Sequence, residues 1–547
     1  MTRREQILGL PVPPVEERIR RIEAEPLPAN IGALLDAAAD EHPDRIAWNF
    51  FESGEAITYG ALRQRVDCLA RGLVAAGVAR GTHVGVMLPN IGVFPTTWLA
   101  LMRVGAVMVP LNIAYTPREI AYVVENGDVR WLVVDAACLP SVEALDPLPG
   151  MLAPERIVVV GDCGGRYRDW QSLFASDEAP QAPVSAPVAL DDVANIQYTS
   201  GTTGFPKGCI LSHRYWLTIS KVNARRDGMD YRNILCATPF FYMDPQWLLL
   251  MTFHQRGTLF VARRQSPSRF MAWVREHRIN FCLLPYLVIK QPVAPDERDH
   301  ELIRCNIYGI PKDVHGPIEE RFDLIAREAF GMTEAGTCLF MPIAAADMVG
   351  SASCGKPGPF REARIVGEDG RPVTPGEVGE LQLRGPGMLQ GYYKNPEATA
   401  AAFDGDWFRT GDLFRQDERG YYYIVGRLKD MIRRAGENIA ARELETVMTA
   451  LPEVMEAACV PVKDETRGEE VKAYVVLQPG LTRDQVPPQH IIDHCAARLA
   501  RFKVPRYIAY ATELPKTPSG KIAKKVLLQG TADLRAGSYD RVEDRWL

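Results

Sequence analysis

The sequence lacks the marks of several large protein classes. Its 11 cysteines are scattered, form no C-x-x-C pair and are odd in number, so they read as reduced thiols rather than a disulfide framework. No apolar run approaches the ~18 residues of a membrane-spanning helix. The N-terminus, Met1-Thr2-Arg3-Arg4-Glu5-Gln6, runs into Pro11, Pro13 and Pro14 without the apolar core of a signal peptide. There is no basic excess, since the formal net charge is −5, which argues against a nucleic-acid partner. No internal repeat is visible. These absences point to a cytoplasmic protein with no stable membrane insertion, and leave a homo-oligomer open. What is present is 547 residues, 47% apolar and 24% charged, enough for more than one globular domain.

Strand and helix signals alternate along the N-terminal part. Residues 1–30 are charged and proline-spaced and read as an arm on the surface. Ile31–Glu41 has helical apolar spacing, Ile46–Phe51 reads as a strand, and Gly60–Ala76 as an amphipathic helix through Leu62, Val66, Leu69 and Leu73. Val84–Leu88 is a buried-strand pattern, followed by a helix over Thr96–Val104 and the apolar run Gly105–Leu111. Thr116, Pro117 and Glu119 supply an N-cap, a first-turn proline and a capping box for the next helix. This alternation predicts an α/β fold with largely parallel sheets. A Pro/Ala spacer, residues 177–187, then delivers the chain to its most informative stretch.

That stretch is Thr199-Ser200-Gly201-Thr202-Thr203-Gly204-Phe205-Pro206-Lys207-Gly208. Glycines leave backbone N–H groups uncovered, and hydroxyls and one ammonium can join them around an anion, most naturally a polyphosphate. It is not the ordinary P-loop, because Lys207 is followed by Gly208 rather than Ser or Thr. Further motifs follow. Thr238-Pro239-Phe240-Phe241-Tyr242-Met243-Asp244-Pro245-Gln246-Trp247 gathers aromatics around one acid. Tyr308-Gly309-Ile310 is a small turn, and Phe330-Gly331-Met332-Thr333-Glu334 offers a flat ring, a hydroxyl donor and a hard oxygen ligand suited to Mg²⁺. Asp412, after a Thr-Gly turn, can accept from two hydroxyls at once. Gly426-Arg427-Leu428-Lys429, Arg433-Arg434-Ala435-Gly436 and Pro518-Ser519-Gly520-Lys521 close the series.

In this order the motifs resemble those of the acyl-adenylate-forming, AMP-binding superfamily, in its acyl-CoA synthetase branch. The Tyr242–Gln246 segment is similar to that of crotonobetaine/carnitine–CoA ligase-like members. The resemblance covers roughly residues 30–530. It implies a large N-terminal domain of stacked, mostly parallel sheets with helices, residues 1–428, and a small mobile α+β domain, residues 429–547, hinged at Lys429. It implies ATP, Mg²⁺ and CoA as cofactors and a small-molecule carboxylic acid as substrate, joined through an acyl-adenylate. Thr199 to Gly204 and Lys207 would bind phosphates. Gly309, Phe330, Gly331, Asp412 and Arg427 would hold adenine and ribose. Lys521, Thr333 and Glu334 would be catalytic, with Glu334 on the metal. Gly436 and Arg434 would meet CoA, and Tyr242, Asp244 and Trp247 would line the acyl pocket. The family usually has His where Tyr242 stands, and tyrosine can donate a hydrogen bond but cannot become a cation near pH 7. The rival reading is a stand-alone adenylation enzyme that loads a carrier protein or other acceptor.

Overall fold

The computed structural model describes residues 2–174, 187–199, 206–435, 437–517, 520–529 and 533–547. By compactness the chain divides into two units. One comprises Met1–Thr199, Pro206–Glu362 and Arg384–Phe403, and the other Ala363–Leu383 and Asp404–Leu547. The division therefore falls ahead of Lys429, because the strand that carries Asp412 pairs in register with the strand that ends at Arg427. The expected 428/429 boundary concerns a hinge rather than compactness.

The first unit is built on two sheets. The strands Ile157–Val160, Trp131–Asp135, His83–Met87, Val107–Pro110 and Val193–Thr199 lie side by side and parallel, and Lys207–Ser212 closes one edge antiparallel. In the second sheet Ile46–Phe50, Thr258–Val261, Asn233–Cys236, Phe281–Leu283, Arg304–Ile307 and Ala326–Met332 run parallel, and Gly336–Phe340 turns back antiparallel. The strands read as continuous apolar runs because both faces are covered. Helix Met243–Gln255 is buried from Pro245 onward, as a helix packed all round must be. It lies against His213–Arg225, which is buried on nearly every side.

Local signals correspond closely to the elements formed. Ile31–Glu41 is a helix with both bounds as expected, capped by the Asn30 side chain. Thr58 caps Tyr59–Ala75, and the capping box of Thr116 and Glu119 opens Pro117–Asn126. The N-terminal segment differs from expectation. Instead of an arm it contains helices Arg3–Leu8 and Val15–Ala24, with Ile7, Arg18 and Ile22 buried. An apolar or aliphatic stem once per turn is enough to seat a short charged helix.

The second unit contains the antiparallel strands Trp407–Gln416 and Tyr422–Arg427. It also holds an α+β module in which Val454–Asp464, Gly468–Leu477 and Tyr507–Tyr510 form neighbouring strands. Helices Ala441–Thr449 and Pro488–Ala496 close its core through Leu444, Met448 and Ile491 against Val471 and Val475.

Candidate active site

The expected phosphate stretch leaves the sheet between two paired strands. Thr199 and Lys207 are directly opposed across that antiparallel pair, and the Thr199 hydroxyl donates to the Lys207 carbonyl at 3.4 Å. Ser200, Gly201, Thr202, Thr203 and Gly204 lie outside the described residues. The ammonium of Lys207 stands 4.7 Å from the ring centre of Tyr392. The Tyr392 hydroxyl donates to Glu334 Oε1 at 3.1 Å. Tyr392 is brought there by backbone pairing, because Cys209 bridges to Tyr392 and the Tyr393 N–H donates to the Gly208 carbonyl. Burial and then the Glu334 charge push the Tyr392 phenol far up, so it remains a donor at any working pH. Lysine, tyrosine and glutamate thus form one linked cluster, and sequence reasoning missed its central member.

Thr333 and Glu334 sit at the turn between Ala326–Met332 and Gly336–Phe340, and Phe330 and Gly331 near the end of the first of those strands. Gly331 is obligatory for a steric reason: a Cβ there would lie 2.7 Å from the Gly336 carbonyl oxygen. The Thr333 hydroxyl points at the Met243 sulfur, 3.7 Å away, which ties this turn to the start of helix Met243–Gln255. Gly309 has φ of +64°, a conformation glycine adopts without strain. The N–H groups of Gly309 and Ile310 are held on the Glu328 carboxylate at 3.1 and 3.0 Å.

The aromatic segment is held by a chain of buried amides. The Trp98 indole donates to Asn195 Oδ1 at 3.0 Å, and Asn195 Nδ2 to Gln246 Oε1 at 2.7 Å. Gln246 Nε2 in turn donates to the carbonyls of Phe240 and Tyr242 at 3.1 and 3.0 Å. Gln197 secures the Phe241 carbonyl at 2.8 Å. Satisfied buried networks of this kind rigidify what they hold. The Tyr242 hydroxyl accepts from Asn112 Nδ2 at 3.2 Å.

A cavity of about 230 Å³ opens beside this segment, lined by Thr238, Asp244, Gln265, Tyr286 and Tyr308 together with apolar side chains. Asp244 lines it, while Tyr242 and Trp247 do not. Trp247 is 3% exposed and packs edge-on toward Phe281. Its indole N–H donates to Asp244 Oδ1 at 3.0 Å, so it orients the acid instead of forming the wall. The Tyr308 hydroxyl turns inward and accepts from Asn306 Nδ2 at 3.3 Å although the residue is 49% exposed, and enclosure of that hydroxyl with the Asp244 charge pushes it up.

In the second unit Arg427 Nε donates to Asp412 Oδ1 at 3.0 Å. Burial raises the Asp412 carboxyl above its ordinary range, and Arg427 opposes that shift. The two expected ribose contacts are therefore one ion pair. Lys429 is exposed in the short turn Leu428–Asp430. Lys521 is exposed on a hairpin whose flanks, Lys516 and Ile522, form a β-bridge, with Gly520 at φ of +78°. Gly436 lies outside the described residues. Arg434 departs from its expected role. Its guanidinium grips buried Glu470 with two hydrogen bonds, at 2.7 and 3.1 Å, because a buried carboxylate needs a planar double donor. Arg434 is thereby committed to Glu470 in this structure.

Among the described residues no three His, Cys, Asp or Glu side chains gather into a metal cage. Glu334, a hard oxygen ligand aimed by Tyr392 beside Lys207, fits a Mg²⁺ that arrives on a polyphosphate and keeps several waters. No helix of the described residues is long and apolar enough to cross a membrane.

Comparison with known proteins agrees with this geometry. The AMP-binding enzyme family matches residues 35–393, and the AMP-binding enzyme C-terminal domain matches residues 443–521. The crotonobetaine/carnitine–CoA ligase of Salmonella paratyphi A is 32% identical, over 91% of this chain and 98% of the relative. The sulfoacetate–CoA ligase of Cupriavidus necator is 32% identical over 91% of this chain and 97% of its own. The ATP-bound crystal structure of MatB from Rhodopseudomonas palustris superposes with a TM-score of 0.79 at 26% identity, covering 91% of this chain and 98% of that one. With both modules matched and the lysine and glutamate of its motifs joined through Tyr392, the chain belongs to the AMP-binding enzyme family.

Proposed function

We propose that this enzyme is an ATP-dependent, AMP-forming carboxylate–CoA ligase. The observation that carries the reading is the Lys207–Tyr392–Glu334 cluster, in a chain whose relatives over nine-tenths of its length are CoA ligases. A carboxylate is a poor acyl donor because its leaving group would be oxide. In the first step a carboxylate oxygen attacks the α-phosphorus of ATP, the bond to the β,γ-diphosphate breaks, and acyl-adenylate and pyrophosphate result. In the second the CoA thiol attacks the acyl carbonyl, loses its proton, and AMP leaves with the carbonyl–oxygen bond pair. No general base is needed in the first step, so positioning and charge neutralisation do most of the work.

Lys207 and the phosphate stretch take the β- and γ-phosphates. Phe330 stacks on adenine, and Asp412 with Arg427 holds the ribose. Glu334 would hold the Mg²⁺ that accompanies ATP, which would supply charge neutralisation on the phosphates, and Thr333 would donate to a phosphate oxygen. Lys521 offsets charge between the carboxylate and the α-phosphate. The segment at Lys429 is the hinge that exchanges Lys521 for Gly436 between the two steps.

The cavity beside Asp244 supports a short acid. A cavity of about 150 Å³ takes benzene, so its volume of about 230 Å³ suits a tail of roughly nine heavy atoms, scaled from that case. Asp244 is the carboxylate of its lining, which also includes the rings of Tyr286 and Tyr308, a combination suited to a cationic tail. The test is release of pyrophosphate and AMP with ATP and Mg²⁺ across crotonobetaine, carnitine, sulfoacetate, short and medium fatty acids, and aryl acids, with and without CoA. Acid-dependent pyrophosphate with thioester only when CoA is added is the expected result. Pyrophosphate without thioester would transfer the reading to carrier-protein loading.

A further inference from the structure

The core of the first unit contains a surplus of positive charge that the proposed reaction does not use. Arg226 follows helix His213–Arg225 and Arg304 begins strand Arg304–Ile307, and both are fully buried. They converge on one acceptor: Arg226 Nη2 and Arg304 Nε each donate to Asn306 Oδ1 at 3.0 Å. One carboxylate faces them. Asp227, also fully buried, takes Arg304 Nη1 at 2.6 Å and the Tyr231 hydroxyl at 2.9 Å, and lies 3.8 Å from Arg226 Nε. Arg18, 5% exposed, brings a third guanidinium within reach of the Asp227 charge. Among the described residues, three cations thus share one buried carboxylate, with exposed Glu16 a weaker charge on Arg18 alone. Nearby Arg327 is matched separately by Glu319.

Donors are in surplus as well as charge. Arg18 Nε and Nη1, Arg226 Nε and Nη1, and Arg304 Nη2 are buried without an acceptor. The ring of Phe340, 5.3 Å from Arg226 Cζ, and the carbonyl end of the preceding helix absorb part of the charge. They accept none of these five donors. Buried water would accept hydrogen bonds but leave the net charge uncompensated. Burial and neighbouring Arg304 pull the Arg226 guanidinium down to about 10, as an uncompensated pair of cations requires.

We propose that Arg18, Arg226 and Arg304 together hold a small inorganic monoanion of the halide class in the interior of the first unit. Its place is one residue behind the Asp244 cavity, since Asn306 also donates to the Tyr308 hydroxyl at 3.3 Å. There it stabilises the fold and screens the arginines from the cavity.

The probe is bromide or chloride on the full-length protein. Crystals grown in sodium bromide should give an anomalous peak among the three guanidinium groups. In solution, at ionic strength held constant with sodium gluconate, raising chloride from about 1 to 100 mM should lift the wild-type unfolding midpoint by about 2 °C or more. Arg18→Met and Arg226→Met should make the midpoint independent of chloride. A bromide map with no peak at this place, or a wild-type midpoint indifferent to the anion, would overturn the proposal and leave water as the occupant. The map needs only the wild-type chain, so a variant that fails to fold does not spare the idea. The site lies outside the ligase reading, which stands or falls on turnover.

Discussion

Removing a single hydroxyl, with Tyr392→Phe, tests how the cluster works. The hydroxyl donates to Glu334 at 3.1 Å while the ring lies beneath the Lys207 ammonium. Phenylalanine keeps the ring, and therefore the cation–π contact, and deletes only the donor. A hydrogen bond to a charged group is worth about 1.5–3 kcal/mol, which converts to roughly a 10- to 100-fold effect. The loss should fall on Mg²⁺·ATP, because Glu334 is the metal-facing group. The half-saturating Mg²⁺ concentration for pyrophosphate release should rise by that factor, with the KM of the acid little changed. Tyr392→Leu removes the ring as well and should cost a further few-fold, from a cation–π contact of about 0.5–2 kcal/mol. The assay is pyrophosphate release against free Mg²⁺, on protein whose unfolding curve matches wild type. A Tyr392→Phe enzyme whose Mg²⁺ requirement stays within about two-fold of wild type would refute the positioning role.

Three other outcomes follow from named contacts. Lys521→Ala should slow adenylation by about 10²–10³ yet still convert preformed acyl-adenylate to thioester, and equal loss in both assays would remove the two-conformation scheme. Arg434→Met leaves buried Glu470 with Arg467 as its remaining guanidinium partner and should cost about 3 kcal/mol in denaturant unfolding; a raised KM for CoA with unchanged stability would restore its CoA role. Burial holds His213 down to about 4 and His254, beside Arg225, down to about 3, and His213 Nδ1 must stay an acceptor for the Ile31 N–H at 3.2 Å. The unfolded chain therefore takes up protons first, near pH 6.5, so stability is full above that pH and falls as pH drops toward 4. Between pH 7 and 5 the two together should cost about 4 kcal/mol, and a urea-unfolding free energy flat over that range would contradict this.

Much of the fold was legible because its signals are local. The Thr116–Glu119 capping box and the apolar period of Leu62, Val66, Leu69 and Leu73 each specify a helix within a few residues. The family was legible from motifs because phosphate, ribose and metal chemistry restrict residue type and spacing. Tyr392 was not, because it meets Lys207 and Glu334 only through the pairing of its strand-like segment with Cys209, and nothing local marks that. Asn195 and Gln197 left a faint trace as polar residues in an otherwise apolar strand, and they serve the amide chain beneath the aromatic segment. Trp247 and Arg434 show the opposite limit. Their types suit a pocket and a nucleotide thiol, but Trp247 is committed to the Asp244 carboxylate and Arg434 to buried Glu470.

The most direct test of the central claim is a chase experiment. Enzyme, ATP, Mg²⁺ and the best acid of the panel are mixed without CoA, the bound acyl-adenylate is counted, and CoA is then added. The account predicts close to one acyl-adenylate per chain, with pyrophosphate released, and its conversion to acyl-CoA and AMP on the chase. Thioester that forms with ADP and phosphate, or with no adenylate accumulating before CoA is added, would contradict it.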